Sequence, residues 1–343
     1  MNTKSLVEDF GQLFIMAING KVLRSDVAEF FSTFRIGGVI LFEDNFESVK
    51  QLRELVDEIQ SRCSRPGEPL LIAVDQEGGQ VQRFRDGFSN IPPASALGEG
   101  SIEWTEQVAS RTAAELNAVG VNFNLAPVAD LSPVDREGAI GSRSFGTDPI
   151  RTSLHVRATV RGLQKTGVLA CAKHFPGHGA TTIDSRKALP DITRSLTELF
   201  DEDLIPFQAA IQEDVAAIMT AHATYSRAEP GGPPATLSRF WCHDVLRKQL
   251  GFEGAIVTDA LEMKALSHFG PCESGVRAMQ AGADILLYYR EAHQFRAFAA
   301  LRKQLDRGEL DYAQIKSSIE RVKRLKMRVQ DIARNVSSYV DSR

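Results

Sequence analysis

Eight short apolar runs, separated by longer amphipathic segments, constrain this chain more than any other feature of its sequence. They fall at 12–18, 37–42, 70–75, 121–128, 168–175, 216–224, 254–260 and 283–289. Runs such as GGVILF at 37–42 and LLIAVD at 70–75 are almost continuously apolar, as strands buried on both faces should be. The segments between them keep helical spacing. In 46–62, Val49, Leu52, Leu55, Val56 and Ile59 follow a three/four rhythm, and Val108, Ala113, Leu116 and Val119 do the same in 102–119. The segments 151–165, 197–213, 238–250 and 271–281 also read as helices.

Eight strand-like runs alternating with helices predict a single (β/α)8 barrel. The main competitor is an open doubly wound sheet, but no strand–turn–helix carries G-x-G-x-x-G. A Lys-, Arg- and Gln-rich tail with spaced Ile, Val and Leu at 311–336 predicts a C-terminal helix packed outside the barrel, with 337–343 frayed. The length of 343 residues and 43% hydrophobic content suit one large barrel.

A formal net charge of -4 offers no basic field to nucleic acid or an anionic membrane, so the expected partner is a small neutral or mildly polar molecule. Cys63, Cys171, Cys242 and Cys272 are irregularly spaced, which supports neither a metal nor a redox motif; no metal and no cofactor are expected. The N-terminus lacks the basic-then-apolar order of a signal peptide, and no run approaches the length that spans a bilayer. A cytoplasmic protein is the expectation.

In a barrel of this kind, chemistry sits where strands end and βα loops begin. The third run ends in Asp75, followed by QEGGQVQRF; the fourth offers Asn124 and Asp130; the fifth ends in Lys173 and His174, followed by FPGHG; the sixth in His222; the seventh in Thr258 and Asp259. So many ionisable groups at one mouth would be costly without partners, and together they mark a site. Each also has a plainer reading. Asp75 could cap a turn, and Lys173 with His174 could be a satisfied structural pair. His178 could hold its loop through a ring N–H. Asp259 could cap a helix beginning at ALEMKAL. His222 could serve core hydrogen bonding as well as a sugar. Arg83 and Arg143 could be surface salt bridges.

The string Lys173-His174-Phe175-Pro176-Gly177-His178-Gly179 resembles the signature of glycoside hydrolase family 3, in particular its single-domain bacterial β-N-acetylglucosaminidases of cell-wall recycling. Asp75 through Arg83, Ile140 through Phe145, and Val257 through Leu261 with Met263 match further family motifs in the right order, and the likeness covers nearly the whole chain. The resemblance implies one barrel domain over 1–343, no cofactor, and an exo-acting, retaining β-N-acetylhexosaminidase. It implies Asp259 as catalytic nucleophile, and Asp75, Arg83, Arg143, Lys173 and His174 as sugar-binding residues. His222 joins them as a candidate sugar contact from the end of the sixth run.

One motif departs. The family pattern after the fifth strand is Asp-Ser-His, a dyad in which His donates the proton and Asp orients it. This chain reads Asp184-Ser185-Arg186. Arginine does not give up its proton at neutral pH, and losing general acid catalysis costs about 10²–10⁴-fold. Asp184, Glu137 or His178 could supply the proton. Alternatively, the protein favours good leaving groups, or it binds sugar without hydrolysing it. Arg186 could also recognise an anionic group on the substrate or acceptor. Gly177 and Gly179 would permit motion of this loop. A phosphate- or metal-dependent barrel is disfavoured, because the eighth run ends in Tyr288-Tyr289-Arg290 rather than glycines.

Overall fold

The computed structural model describes the backbone of residues 3–341 and the side chains of residues 6–331. Its strands are β1 (Phe14–Ala17), β2 (Gly38–Leu41), β3 (Leu71–Val74), β4 (Gln76–Gly78), β5 (Val81–Gln82), β6 (Phe123–Asn124), β7 (Leu169–Phe175), β8 (Ala217–Thr220), β9 (Ala255–Thr258) and β10 (Leu286–Tyr288). Eight of them form one parallel sheet in the order β10-β1-β2-β3-β6-β7-β8-β9. A parallel bridge between Val257 and Ile285 joins its two ends, so the sheet closes on itself. All residues of β1, β2, β3, β7, β8, β9 and β10 are buried, which is why their runs show no alternation. The remaining pair, β4 and β5, makes a small antiparallel hairpin directly after β3.

The helices follow the expected stripes. Val49–Cys63 buries Leu52, Leu55, Val56 and Ile59, and Ser48 caps it by accepting the Gln51 N–H. Burying each such side chain contributes about 2 kcal/mol before ordering costs. Ile102–Ala118 is capped by Ser101, and Pro149–Lys165 by Asp148. Gly270–Ala281 also forms. Among the described residues, Thr3–Asp9, Ser25–Phe34, Ala94–Glu99 and Glu291–Asp306 are also helical without having been singled out in the sequence.

Several local expectations are corrected. The run 121–128 contributes only two residues of regular strand, because the side-chain amides of Asn122 and Asn124 take over ladder positions against Ile72 and Gln76 and Pro127 has no N–H to give. The segment 197–213 divides into Leu196–Glu198, a π-helical turn Leu199–Asp203 and the helix Ile205–Gln212, with Pro206 unable to donate at the junction. The segment 238–250 is wound as a π-helix over Phe240–Gln249. No helix begins at ALEMKAL; the chain turns there and makes one 3-10 turn, Lys264–Leu266.

The C-terminal helix, Tyr312–Asp341, runs past 337, where fraying was expected; 342 and 343 lie outside the described residues. It buries Ile315, Ile319, Val322 and Leu325 against the end of the barrel where strands begin. Polar staples reinforce it there. Asp284, just before β10, accepts from Ser318 Oγ at 2.7 Å and pairs with Arg321 and Arg247, while Asp9 pairs with Lys323 at 2.6 Å and with Arg35. Lys326, buried, donates to Gln12 Oε1 at 2.7 Å. Among the described residues, no helix is long and apolar enough to cross a membrane.

Candidate active site

At the opposite end, the strands deliver their polar residues into one cavity of about 250 Å³. Its lining includes Asp75, Glu77, Arg83, Arg143, Lys173, His174, His178, Ser185, Arg186 and Asp259, with Phe42, Met263 and Tyr289 among the apolar and aromatic walls.

The centre of one wall is a buried ionic network. Lys173 Nζ lies 2.6 Å from Asp75 Oδ1 and 2.6 Å from Glu77 Oε1. Arg143 grips Glu77 with two 2.8 Å bonds and donates a third to the Ala139 carbonyl at 2.7 Å. Burial opposes ionisation of Glu77, but Arg143 and Lys173 outweigh it and hold its carboxyl well below the usual range. Burial likewise works against the charge of Lys173, and Asp75 and Glu77 more than restore it. Arg83 closes the network at the rim, 2.8 Å from Glu43 and 3.6 Å from Asp75. Arg143 is therefore a buried anchor, not a surface pair. The β4–β5 hairpin makes this possible: Gly78 and Gly79, both with positive φ, turn the chain so that Asp75, Glu77 and Arg83 share one side.

Asp130 organises the neighbouring loop. Its buried carboxylate accepts the His174 N–H, the His174 ring Nδ1–H at 2.7 Å and the His178 N–H at 2.6 Å. A carboxylate only accepts when ionised, so His174 carries a proton on Nδ1, which leaves Nε2 as its other hydrogen-bonding atom. Burial pushes Asp130 toward neutrality, and His174 and the N–H donors hold its pKa below the ordinary value. His178 does not hold the loop through its ring, contrary to expectation; its backbone N–H does. The ring is buried on the cavity lining with neither nitrogen partnered among the described residues. Burial and the adjacent His174 push its pKa down to about 4, so the ring is neutral at physiological pH. Gly179 serves a close approach more than a hinge, since a Cβ there would stand 1.9 Å from the Leu131 carbonyl oxygen.

Asp259 follows β9 directly. Its Oδ1 accepts the N–H of Ala260 at 2.7 Å, and it caps no helix. Burial would raise its pKa, but His222, His174, the Ala260 N–H and Lys173 prevail and keep it low. His222, expected among the sugar contacts, sits fully buried off the cavity lining. Its Nε2 donates to the Ala260 carbonyl at 3.0 Å and its Nδ1 meets Thr236 Oγ1 at 2.8 Å. Both ring nitrogens are spent on protein, so His222 positions the backbone that holds Asp259.

The segment 180–188 borders the mouth. Ser185 and Arg186 line the cavity, whereas Asp184 is off the lining. Asp184 Oδ1 accepts the backbone N–H of Arg186 at 2.9 Å and its Nε–H at 3.1 Å. Burial opposes its charge, but these contacts keep the Asp184 pKa below the usual range, and it is ionised at neutral pH. The Ser185 carbonyl accepts the Ala265 N–H at 3.0 Å, tying this segment to the turn after Asp259. Glu137 is exposed and off the lining. Glu77, Phe42 and Tyr289 carried no role in the sequence reading. Glu262 was also missed: its buried carboxyl accepts the N–H groups of Tyr289 and Arg290, and burial lifts its pKa to about 7. Among the described residues, no cluster of His, Cys, Asp and Glu could hold a metal ion.

A closed parallel barrel carrying a cavity of paired carboxylates and cations offers the donors and acceptors that suit a polyhydroxylated small molecule, whose hydroxyls both donate and accept. The glycosyl hydrolase family 3 N-terminal domain matches residues 5–325. A β-hexosaminidase of Methylococcus capsulatus is 41% identical over 273 residues, 78% of this chain and 80% of that protein. A family 3 β-N-acetylglucosaminidase from Paenibacillus sp. str. FPU-7 superposes with a TM-score of 0.89 at 37% identity, covering 95% of this chain and 62% of that longer one. NagZ from Neisseria gonorrhoeae, solved with N-trifluoroacetyl-D-glucosamine, superposes with a TM-score of 0.79 at 32% identity over 93% of this chain and 92% of its own. The chain belongs to glycoside hydrolase family 3.

Proposed function

We propose that this glycosidase is a single-domain, retaining β-N-acetylhexosaminidase that removes a terminal N-acetylglucosamine from β-glycosides such as cell-wall fragments. The observation that carries the reading is Asp259, a carboxylate kept ionised on the lining of the same cavity as Asp75, Lys173 and His174. Asp259 attacks C1 of the bound sugar and the glycosidic bond breaks with its electron pair on the leaving oxygen, which takes a proton from solvent; water then attacks C1 of the resulting ester, its proton passes to solvent, and the Asp259 carboxylate is regenerated. The network of Asp75, Glu77, Arg83, Arg143 and Lys173, with His174, binds the hydroxyls of the terminal residue. A cavity of about 250 Å³ suits one hexosamine better than the middle of a polymer, and the hexosaminidase relatives support the choice of sugar.

The test is hydrolysis of an aryl and an alkyl β-N-acetylglucosaminide by the protein and by Asp259→Asn. Activity that disappears in the variant, with the fold intact, supports the reading. Activity that survives in Asp259→Asn overturns the nucleophile assignment. Sugar binding without turnover of either substrate would make the chain a binding relative.

A further inference from the structure

Among the described residues, four Lys and Arg side chains line the cavity, and three are committed to protein partners. Lys173 is held by Asp75 and Glu77, Arg143 by Glu77 and the Ala139 carbonyl, and Arg83 by Glu43 and Asp75. Arg186 differs. Its described side-chain contact is a single bond from Nε to Asp184, which leaves both terminal nitrogens unengaged, and its side chain is 56% exposed. It is thus the most solvent-exposed of the four and marks the mouth of the cavity. With the sugar's hydroxyls on the buried network and its C1 at Asp259, a leaving group directed to solvent passes the most exposed cation of the lining, Arg186.

The same region is poor in transferable protons. Arg186 keeps its proton at any working pH, Asp184 is ionised, the His178 ring is neutral, and Glu137 and Glu262 are off the lining, Glu262 turned to the N–H groups of Tyr289 and Arg290. An alkoxide leaving from C1 toward Arg186 would meet a guanidinium that does not give up its proton. A leaving group that departs as a weakly basic oxyanion needs none, and a guanidinium is the side chain best shaped to receive it.

We infer that Arg186 forms an oxyanion subsite at the mouth, and that the best substrates are β-N-acetylhexosaminyl phosphate diesters. This rests on the Asp259 assignment above. An Asp259 oxygen forms a bond to C1, the bond from C1 to the phosphate oxygen breaks, and its electron pair stays on that oxygen. The phosphate diester monoanion thus yields a phosphate monoester dianion, whose conjugate acid ionises near a pKa of about 6, so no proton is required. Water then attacks C1 of the glycosyl ester, its proton passes to solvent, and the Asp259 carboxylate is regenerated.

The experiment compares three probes on the full chain: β-N-acetylglucosaminyl methyl phosphate, a neutral aryl β-N-acetylglucosaminide and the methyl β-glycoside. Each is measured with the parent, Arg186→Met and Arg186→Lys. The parent is expected to prefer the phosphate diester to the methyl glycoside. In Arg186→Met, the ratio of kcat/KM on the phosphate diester to that on the aryl glycoside should fall about 10²-fold, the scale of losing one aimed donor, with partial recovery in Arg186→Lys. A ratio unmoved by Arg186→Met overturns the inference. So does aryl turnover with no phosphate diester turnover, which leaves the proposed hydrolase standing. Failure of all three probes brings down both.

Discussion

The two ends of the barrel use the same chemistry for different purposes. At the end where strands begin, Asp284 with Arg247, Arg321 and Ser318, and Asp9 with Lys323 and Arg35, form pairs that tie the C-terminal helix to the barrel. At the end where strands finish, Asp75, Glu77, Arg143 and Lys173 are bound just as closely, yet they line a cavity beside an ionised Asp259 and a His178 ring without a partner among the described residues. Pairing alone therefore does not separate a staple from a site. What separates them is the space beside the charges, into which an ionised carboxylate opens.

That contrast can be broken by substitution. Asp259→Asn should cost activity on the order of 10⁴–10⁶-fold, the range seen when a nucleophile is removed, with an unchanged thermal midpoint; a large loss of stability would mean that Asp259 is a staple. Asp284→Ala should do the reverse. Removing one member of a buried charge cluster destabilises by about 3–5 kcal/mol, which urea titration would register, while kcat of the folded protein stays at the parental value.

Arg186→His sharpens the account of the mouth. It supplies a group able to carry a proton near neutral pH beside Asp184, and hydrolysis of an alkyl glycoside should rise about 10–10²-fold, within the general-acid range. An unchanged rate would show that the missing proton is not what limits the parent.

Stability against pH distinguishes the ends more finely. The folded pKa of Glu77 lies below its unfolded value of 4.5, so its contribution is present above that pH and is lost as pH falls through the acid range below it. Glu77→Gln should flatten the acid limb of the stability curve. At the other end, burial lowers Lys326 from 10.5 to about 7. Between those values the unfolded chain binds more protons than the folded one, so stability contributed by this residue rises from about pH 7 to 10.5 and is lowest below pH 7. Lys326→Met should remove that rise. A stability curve that keeps the same slope in the variant would show that Lys326 is not buried as described.

Most of the barrel was legible because parallel strands covered on both faces leave uninterrupted apolar runs, and the helices leave periodic stripes. The run at 121–128 misled because Asn122 and Asn124 substitute side-chain amides for backbone bonds, a choice that hydropathy does not register. Asp75, Lys173, His174 and Asp259 could be picked out because each closes an apolar run. Glu77 and Asp130 could not be assigned roles on that basis, since their partners, Arg143 and the 174–178 loop, lie far along the chain and meet them only in the closed barrel. His222 shows the opposite error. A strand-end histidine looks like a ligand contact until the Thr236 hydroxyl and the Ala260 carbonyl are seen to occupy both ring nitrogens.

Asp130 has a practical implication for anyone wishing to move this site elsewhere. The string from Lys173 to Gly179 reads like a portable cassette, but its shape is gathered by a carboxylate 44 residues earlier that takes two bonds from His174 and one from His178. Grafted without that distant residue, the same letters would lose their conformation; a library that randomises the cassette should hold position 130 constant, and one that varies position 130 is in effect varying the cassette.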